Sequence, residues 1–376
     1  MDKKIILFVT GTRADFGKIK SLMNVVKNEP DLFELKCFVT GMHMLKQYGK
    51  TYLELTKSGF SDVYHFINQH MNEPMEMVLA NTIQGISRYV HEENPDLIVV
   101  HGDRIESLAG AIVGSINNIL VAHIEGGERS GTIDELIRHS ISKLSHIHFV
   151  THQKAAKRLM QLGEQEQNIF VIGSPDIDIM MSNNLPSLQQ VYKKYDLNFE
   201  TFHLVLFHPV TTEYLTIYNQ AIALVDAINE SKDNFVIIYP NNDRGTIEIL
   251  RAYKKLEKNP HIKLFPSIQF ESFLVLIKNT ISLIGNSSAG IHEAPIYGTP
   301  TINIGSRQNN RFKTESILDC DSDKEQIAHA INNMSQPNRF DPIQYFGVGN
   351  STKFFMQAIK TESFWQVSPQ KVFVDL

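Results

Sequence analysis

The chain has little of what would mark a secreted, membrane or nucleic-acid-binding protein. Its 376 residues include only two cysteines, Cys37 and Cys320, and one tryptophan. Two such cysteines cannot form a disulfide framework and lack metal-ligand spacing, which fits a reducing cytoplasm. No uninterrupted apolar run approaches the ~20 residues of a transmembrane helix. The first one, Ile5 to Val9, ends at Thr10-Gly11 and is too short for a signal-peptide core. Excess charge of one sign is also missing. With 36 basic and 41 acidic residues and a formal charge of -5, the chain has no global attraction to nucleic acid or anionic membranes. A local basic pocket for a phosphate would survive that average.

Several signatures are absent as well. The turn after the first strand reads Gly11-Thr12-Arg13-Ala14-Asp15-Phe16-Gly17, which is not a dinucleotide fingerprint, and no Walker pattern occurs. Nicotinamide-dependent hydride transfer and P-loop ATP hydrolysis lose their main support. HExxH and paired cysteines are missing too, so neither a metal nor a cofactor is expected.

What is there is alternation. Length alone gives two domains or one large barrel. Apolar, β-rich runs at Ile5 to Val9, Leu35 to Val39, Leu97 to Val100, Ile119 to His123, His146 to Val150 and Ile169 to Ile172 alternate with helix-length segments, which predicts a parallel sheet covered on both faces. After Gly173-Ser174-Pro175 the pattern lapses, and Asp176 to Pro186 reads as a connection. A second series follows at His203 to Phe207, Phe235 to Tyr239, Ile262 to Phe265, Ile281 to Ile284 and Thr301 to Ile304, with a helix expected over Ala289 to Tyr297. The expected fold is α/β: two doubly wound, Rossmann-like domains facing a cleft, over residues 1–175 and 176–351. A last helix at about Thr352 to Lys360 and the tail to 376 fit neither series.

Unusual polar clusters fall just after strands, where open parallel sheets bind ligands. They are Gly11-Thr12-Arg13, His101-Gly102-Asp103-Arg104, Glu125-Gly126-Gly127-Glu128, His208-Pro209, Asn241-Asn242-Asp243 and Gly285-Asn286-Ser287-Ser288. One cluster would be an ordinary turn; six at equivalent places predict a ligand cleft. Small residues and hydroxyls at Gly285 to Gly290, between a strand and a helix, suit an anion, with Arg13, Lys18 and Arg307 as basic neighbours. The carboxylates Asp103, Glu106, Glu125, Glu128, Asp134 and Glu135, with His208, could supply the acid and base of a proton transfer.

In combination, Thr10 to Lys18, Val39 to Met44, His101 to Arg104, His123 to Glu128, Ile133 to Lys143, Phe207 to Thr212 and Gly285 to Gly290 with Glu293 resemble the UDP-N-acetylglucosamine 2-epimerase family. The resemblance spans essentially the whole chain and points to the hydrolysing bacterial branch. Gly11-Thr-Arg-Ala-Asp15 and His208-Pro-Val-Thr-Thr212 depart from the Gly-Thr-Arg-Pro-Glu and His-Arg-Arg-Glu-Asn patterns of non-hydrolysing members. The resemblance implies a glycosyltransferase-B arrangement in which the C-terminal segment, about 352–376, returns to the first domain.

It also implies a reaction: elimination of UDP from UDP-N-acetylglucosamine to 2-acetamidoglucal, then hydration to N-acetylmannosamine for sialic-acid synthesis. Asp103, Glu125 and Asp134 would be the catalytic carboxylates, with His208 near the leaving diphosphate and the division into acid and base left open. Arg13, Ser287, Ser288 and Arg307 would hold the phosphates, Glu293 the ribose, Asn242 the nucleotide, and Lys18 and Arg104 the substrate. A homodimer is implied. Two other readings compete: the same chemistry on a UDP-2,4-diacetamido-2,4,6-trideoxyhexose for legionaminic acid, and glycosyl transfer, which would not need all three carboxylates.

Overall fold

The computed structural model describes residues 2–334 and 338–375. Contacts divide the chain into two units. Unit 1 comprises Met1–Glu128, Asp134–Ser182 and Tyr345–Leu376; unit 2 comprises Arg129–Ile133 and Asn183–Gln344.

Unit 1 is built on seven strands: β1 (Lys4–Thr10), β2 (Phe33–Val39), β3 (Val63–His65), β4 (Leu97–His101), β5 (Leu120–Ile124), β6 (Ile147–Val150) and β7 (Ile169–Val171). They run in the order β3-β2-β1-β4-β5-β6-β7, all parallel. Unit 2 has β8 (His203–Leu206), β9 (Phe235–Ile238), β10 (Ile262–Phe265), β11 (Leu283–Gly285), β12 (Thr301–Ile304) and β13 (Ile317–Cys320), in the order β10-β9-β8-β11-β12-β13 and again parallel. Both sheets reverse direction beside their first strand, between β1 and β4 and between β8 and β11. Those switch points are where this topology opens a crevice.

Central strands form because both faces are covered. Ile6, Leu7, Phe8 and Val9 on β1, and all of β4 from Leu97 to Val100, are essentially solvent-free. The helix Arg13–Lys27 starts at once because Thr12 and Asp15 form a reciprocal cap, Thr12 Oγ1 accepting from Asp15 N at 3.1 Å and Asp15 Oδ1 from Thr12 N at 3.0 Å. Such a cap stabilises a helix by about 1 kcal/mol.

Four elements differ from the sequence expectation. β3 and β13 are sheet edges, short and half polar, so their sequences carry no strand periodicity. The segment expected as a connection after Ser174 holds the helix Pro175–Met180, with Pro at its start. The expected helix over 289–297 is instead a 3₁₀ turn, Ser288–Gly290, and a one-turn helix, Glu293–Ile296. Thr301 Oγ1 takes the Gly290 carbonyl at 3.1 Å, and Pro295 has no N–H to offer, so a continuous helix would lose two of its bonds.

The C-terminal segment belongs to unit 1 as the helix Ser351–Ile359 and the 3₁₀ turn Glu362–Gln366. Asp178 caps its start, accepting from Ser351 N at 2.9 Å and Thr352 N at 2.8 Å. Phe355 and Phe364 then pack on buried Phe149 of β6, with ring centroids 4.9 and 6.2 Å away. Burying each such ring contributes roughly 2–3 kcal/mol.

Candidate active site

In unit 1 the chain leaves β4 and β5 into loops that hold acidic groups around one arginine. Arg138, on the helix Ile133–Leu144, pairs directly with Asp103. Burial disfavours its charge, yet Asp103, Glu128, Asp134 and Glu125 outweigh that and raise its pKa above the ordinary value. Arg138 thus gathers Asp103, Glu125 and Asp134 into one electrostatic cluster, together with Glu128.

Glu125 directly follows β5 and sits in the left-handed region, with φ at 63°. A non-glycine residue stays there only where its surroundings hold it. Its backbone N–H is bound by Phe149 O at 2.9 Å. Ser174 Oγ donates to its Oε1, while Lys18 Nζ lies 3.7 Å and His101 Nε2 3.2 Å from its Oε2. Lys18 also lies 3.5 Å from Asp176, so one ammonium serves two carboxylates. Glu128 is held by Thr151 and by His152 Nε2 at 3.0 Å. His152 Nδ1 accepts from Ala155 N, which leaves the ring proton on Nε2 to donate to Glu128.

Two further buried histidines, His123 and His43, act as neutral struts. His123 Nε2 reaches the Gly102 carbonyl at 2.7 Å and so must donate, leaving Nδ1 to accept from Ser142 Oγ at 3.0 Å. Its complete burial pushes its pKa well below the usual imidazole range. Burial likewise lowers His43 to about 4. His43 joins Thr10 Oγ1 (3.1 Å) to Thr51 Oγ1 (2.7 Å) beneath the loop after β1. At the switch point itself Glu106 is buried against Gly11, where an added Cβ would come 2.7 Å from its carboxyl carbon. Arg104 Nε lies 3.7 Å from Glu106 Oε2. Arg13, at the head of its helix, pairs with Glu54.

Unit 2 joins its strand ends mainly through amides, hydroxyls and backbone groups, with Arg307 among the donors. Asn286, after β11, accepts from His208 N at 2.6 Å and donates to His208 O at 2.8 Å, tying the two loops of the switch point together. His208 Nδ1 accepts from Asn241 N at 3.1 Å, so its ring proton is on Nε2. Arg307 Nη1 and Gln308 Nε2 both reach the Asn286 carbonyl, at 3.3 and 2.7 Å. Ser287 Oγ caps the following turn through Ala289 N, with Ser288 opening that turn. Gly285 has φ of 131°, and a Cβ there would lie 1.9 Å from Leu206 O, so this crossing of β8 and β11 requires glycine. Glu293 is buried at the head of its one-turn helix, and Asn242 lies in the turn after β9.

Residues 25–360 match the UDP-N-acetylglucosamine 2-epimerase family. The chain belongs to that family. It is 49% identical over 376 residues to the UDP-N-acetylglucosamine 2-epimerase of Neisseria meningitidis serogroup B, covering 99% of both chains. It is 31% identical to the UDP-N,N'-diacetylbacillosamine 2-epimerase (hydrolyzing) of Legionella pneumophila, covering 95% of each. In fold it is similar to the UDP-GlcNAc 2-epimerase of Methanocaldococcus jannaschii solved in complex with UDP-GlcNAc and UDP. That TM-score is 0.77 at 21% identity, over 95% of this chain and 99% of the other.

Within this family fold, the structure pairs Asp103 with Arg138 and sets Glu125 beside Lys18 in unit 1, with Asp134 one turn before Arg138 on the same helix, and gathers His208, Ser287 and Arg307 around Asn286 in unit 2. Sequence reasoning passed over Arg138, Ser174, Asp176 and Gln308, and it placed His101 and Asn286 in the strand-end clusters without giving them a role. Arg138 had a signal, standing four residues after Asp134 on one helix face. Asp176 had none, because its segment reads as a linker.

Proposed function

We propose that the protein is a hydrolysing UDP-N-acetylglucosamine 2-epimerase, converting its substrate and water to UDP and N-acetylmannosamine for sialic-acid synthesis. The observation that carries this reading is the pair of carboxylates after β4 and β5 in unit 1, Asp103 on buried Arg138 and buried Glu125 between Lys18 and His101. A C2 hydrogen beside no carbonyl is a weak acid. Its removal needs a positioned carboxylate together with strong stabilisation of the leaving group. Asp103, Glu125 and Asp134 supply the groups that remove one proton and return another on the opposite face. Arg138, Lys18 and Ser174 hold them in place. His208 is assigned to the neighbourhood of the departing diphosphate, Arg13, Ser287, Ser288 and Arg307 to its phosphates, Glu293 to the ribose, Asn242 to the nucleotide, and Lys18 and Arg104 to the substrate.

Support comes from the Neisseria relative, whose name gives the substrate, and from the Legionella relative, whose name gives the hydrolysing chemistry. The same Legionella relative favours a second reading, a UDP-diacetamido-trideoxyhexose as substrate. The proposed setting is a cytoplasmic homodimer. Proton NMR of a reaction in deuterated water tests the reading: release of UDP with N-acetylmannosamine deuterated at C2 is expected. Retention of the C2 proton, or no turnover without a sugar acceptor, overturns it. Turnover of the diacetamido sugar nucleotide alone selects the second substrate.

A further inference from the structure

The loops after β8, β11 and β12 rise from three adjacent strands of unit 2, and hydrogen bonds close them into a ring. Asn286 of the β11 loop is bound reciprocally to the His208 backbone of the β8 loop. Its carbonyl receives Arg307 and Gln308 of the β12 loop. Ser306, the residue before Arg307, then donates to Glu213 Oε1, back on the β8 loop. Glu213 Oε2 in turn accepts from Gln220 Nε2 at 2.7 Å, on the helix Ile217–Glu230. The Glu213–Ser306 link therefore arches over the end of the middle strand, where Ser287 and Ser288 lie.

We infer that Glu213 is a positioning residue: by accepting from Ser306 and Gln220 it closes a three-loop ring that fixes Arg307, Asn286 and His208 to receive a nucleoside diphosphate. This deepens the proposed function and rests on it. Strand-end loops are otherwise the mobile part of an α/β domain. A ring held before the ligand arrives spares the ligand the ordering of Arg307, and that is where affinity is gained. The carboxylate offers one charged oxygen to each donor, Ser306 Oγ and Gln220 Nε2. A glutamine at 213 keeps a single acceptor oxygen and loses the charge, so at least one of these charge-assisted bonds is lost.

UDP binding by calorimetry on the full chain, paired with amide hydrogen exchange of the ligand-free protein, tests this. Glu213→Gln and Ser306→Ala are each expected to weaken UDP by about tenfold, the effect of one lost charge-assisted hydrogen bond. Together they should do no more than either alone, since both break one link. Glu213→Gln combined with Gln220→Glu restores an acceptor opposite each donor, the amide oxygen at 213 taking Ser306 and the amide NH2 at 213 meeting the carboxylate at 220, and should recover UDP affinity. A structural loss would not be rescued this way. In the ligand-free protein both single variants should speed exchange over 305–308.

Unchanged UDP affinity in Glu213→Gln and Ser306→Ala, or additive losses, overturns the ring. Ser306→Ala removes only a hydroxyl and keeps the test open if Glu213→Gln fails to fold. Absence of UDP binding by the wild type would sink the proposed function instead. The exchange measurement then still decides the ring, with unchanged exchange over 305–308 counting against it.

Discussion

Both sheets order their first six strands 3-2-1-4-5-6, yet the side chains at their carboxyl ends have little in common. Unit 1 buries His43, His101, His123, His146, His148 and His152 alongside Asp15, Glu106, Glu125, Glu128, Glu164 and Asp176. Unit 2 buries His203, His292, Asp243 and Glu293 among its described residues and joins its loops mainly through amides, hydroxyls and backbone. One topology has been loaded with charge in one copy and nearly emptied of it in the other. Topology fixes where ligand groups emerge, and composition of the strand ends fixes what they can do there. Closely spaced carboxylates with an arginine suit moving protons. Neutral donors preset by hydrogen bonds suit an anion.

Breaking that division of labour should have its largest effect in unit 1. Glu125→Gln keeps the shape of the side chain but removes its charge beside Lys18, and turnover should fall by about 10³-fold, within the range of lost acid–base catalysis. UDP affinity, assigned to unit 2, should not change; a variant that loses both equally would end the comparison.

Acid should separate the units next. His43 has its folded pKa lowered to about 4 by burial, so below its ordinary value of 6.5 the unfolded chain binds the extra proton. Stability therefore falls as pH drops from 6.5 to 4, by about 3 kcal/mol for this group alone. His123 and His148, lowered by burial, act in the same direction. Glu164 has a pKa of about 2, where its partners His148 and Lys371 overcome desolvation, and it loses its contribution only as pH falls through that value. Hydrogen exchange at pH 7.5 and pH 5 should show protection lost in β1, β4 and β5 before β8, β9 and β11. Equal loss in both sheets would refute this.

In unit 2, Arg307→Ala should weaken UDP by roughly 10–100-fold, the effect of one charge-assisted contact. Steady-state kinetics should show it mainly in KM, and a pure kcat effect would place Arg307 with the proton chemistry instead.

The smallest effect is expected at the tail. Lys371 Nζ donates to the carbonyls of Lys143 (2.7 Å) and Ser145 (2.5 Å) and to Glu164 (2.5 Å), closing the far end of the helix that carries Asp134 and Arg138. Lys371→Met should lower stability by about 1–2 kcal/mol, read from the thermal midpoint. No change would show that the tail does not brace that helix.

The legible parts of the fold were those where one local rule suffices. β1 and β4 are continuous apolar runs ended by glycine turns. Edge strands β3 and β13 were not legible, since partner strands rather than their own composition make them strands. The broken helix after Ser288 was misread because its apolar pattern continues through Pro295, while the competing bond from Thr301 comes from the next strand. Asp103 and Glu125 stood out among the carboxylates that follow buried strands, and the family resemblance selected them together with Asp134, which lies on the helix Ile133–Leu144. Ser174, Asp176 and Glu213 could not be singled out, because their partners lie far along the chain.

The sequence by itself determined the two alternating series, the parallel sheets and the places where polar groups leave them, because hydrophobic period and turn residues act over short range. It also carried the family. Only the tertiary structure decided that Arg138 pairs with Asp103, that Lys18 is divided between Glu125 and Asp176, and that Glu213 reaches Ser306. Those pairings depend on which loops the strand order makes neighbours, and sheet order is settled by packing across the whole chain.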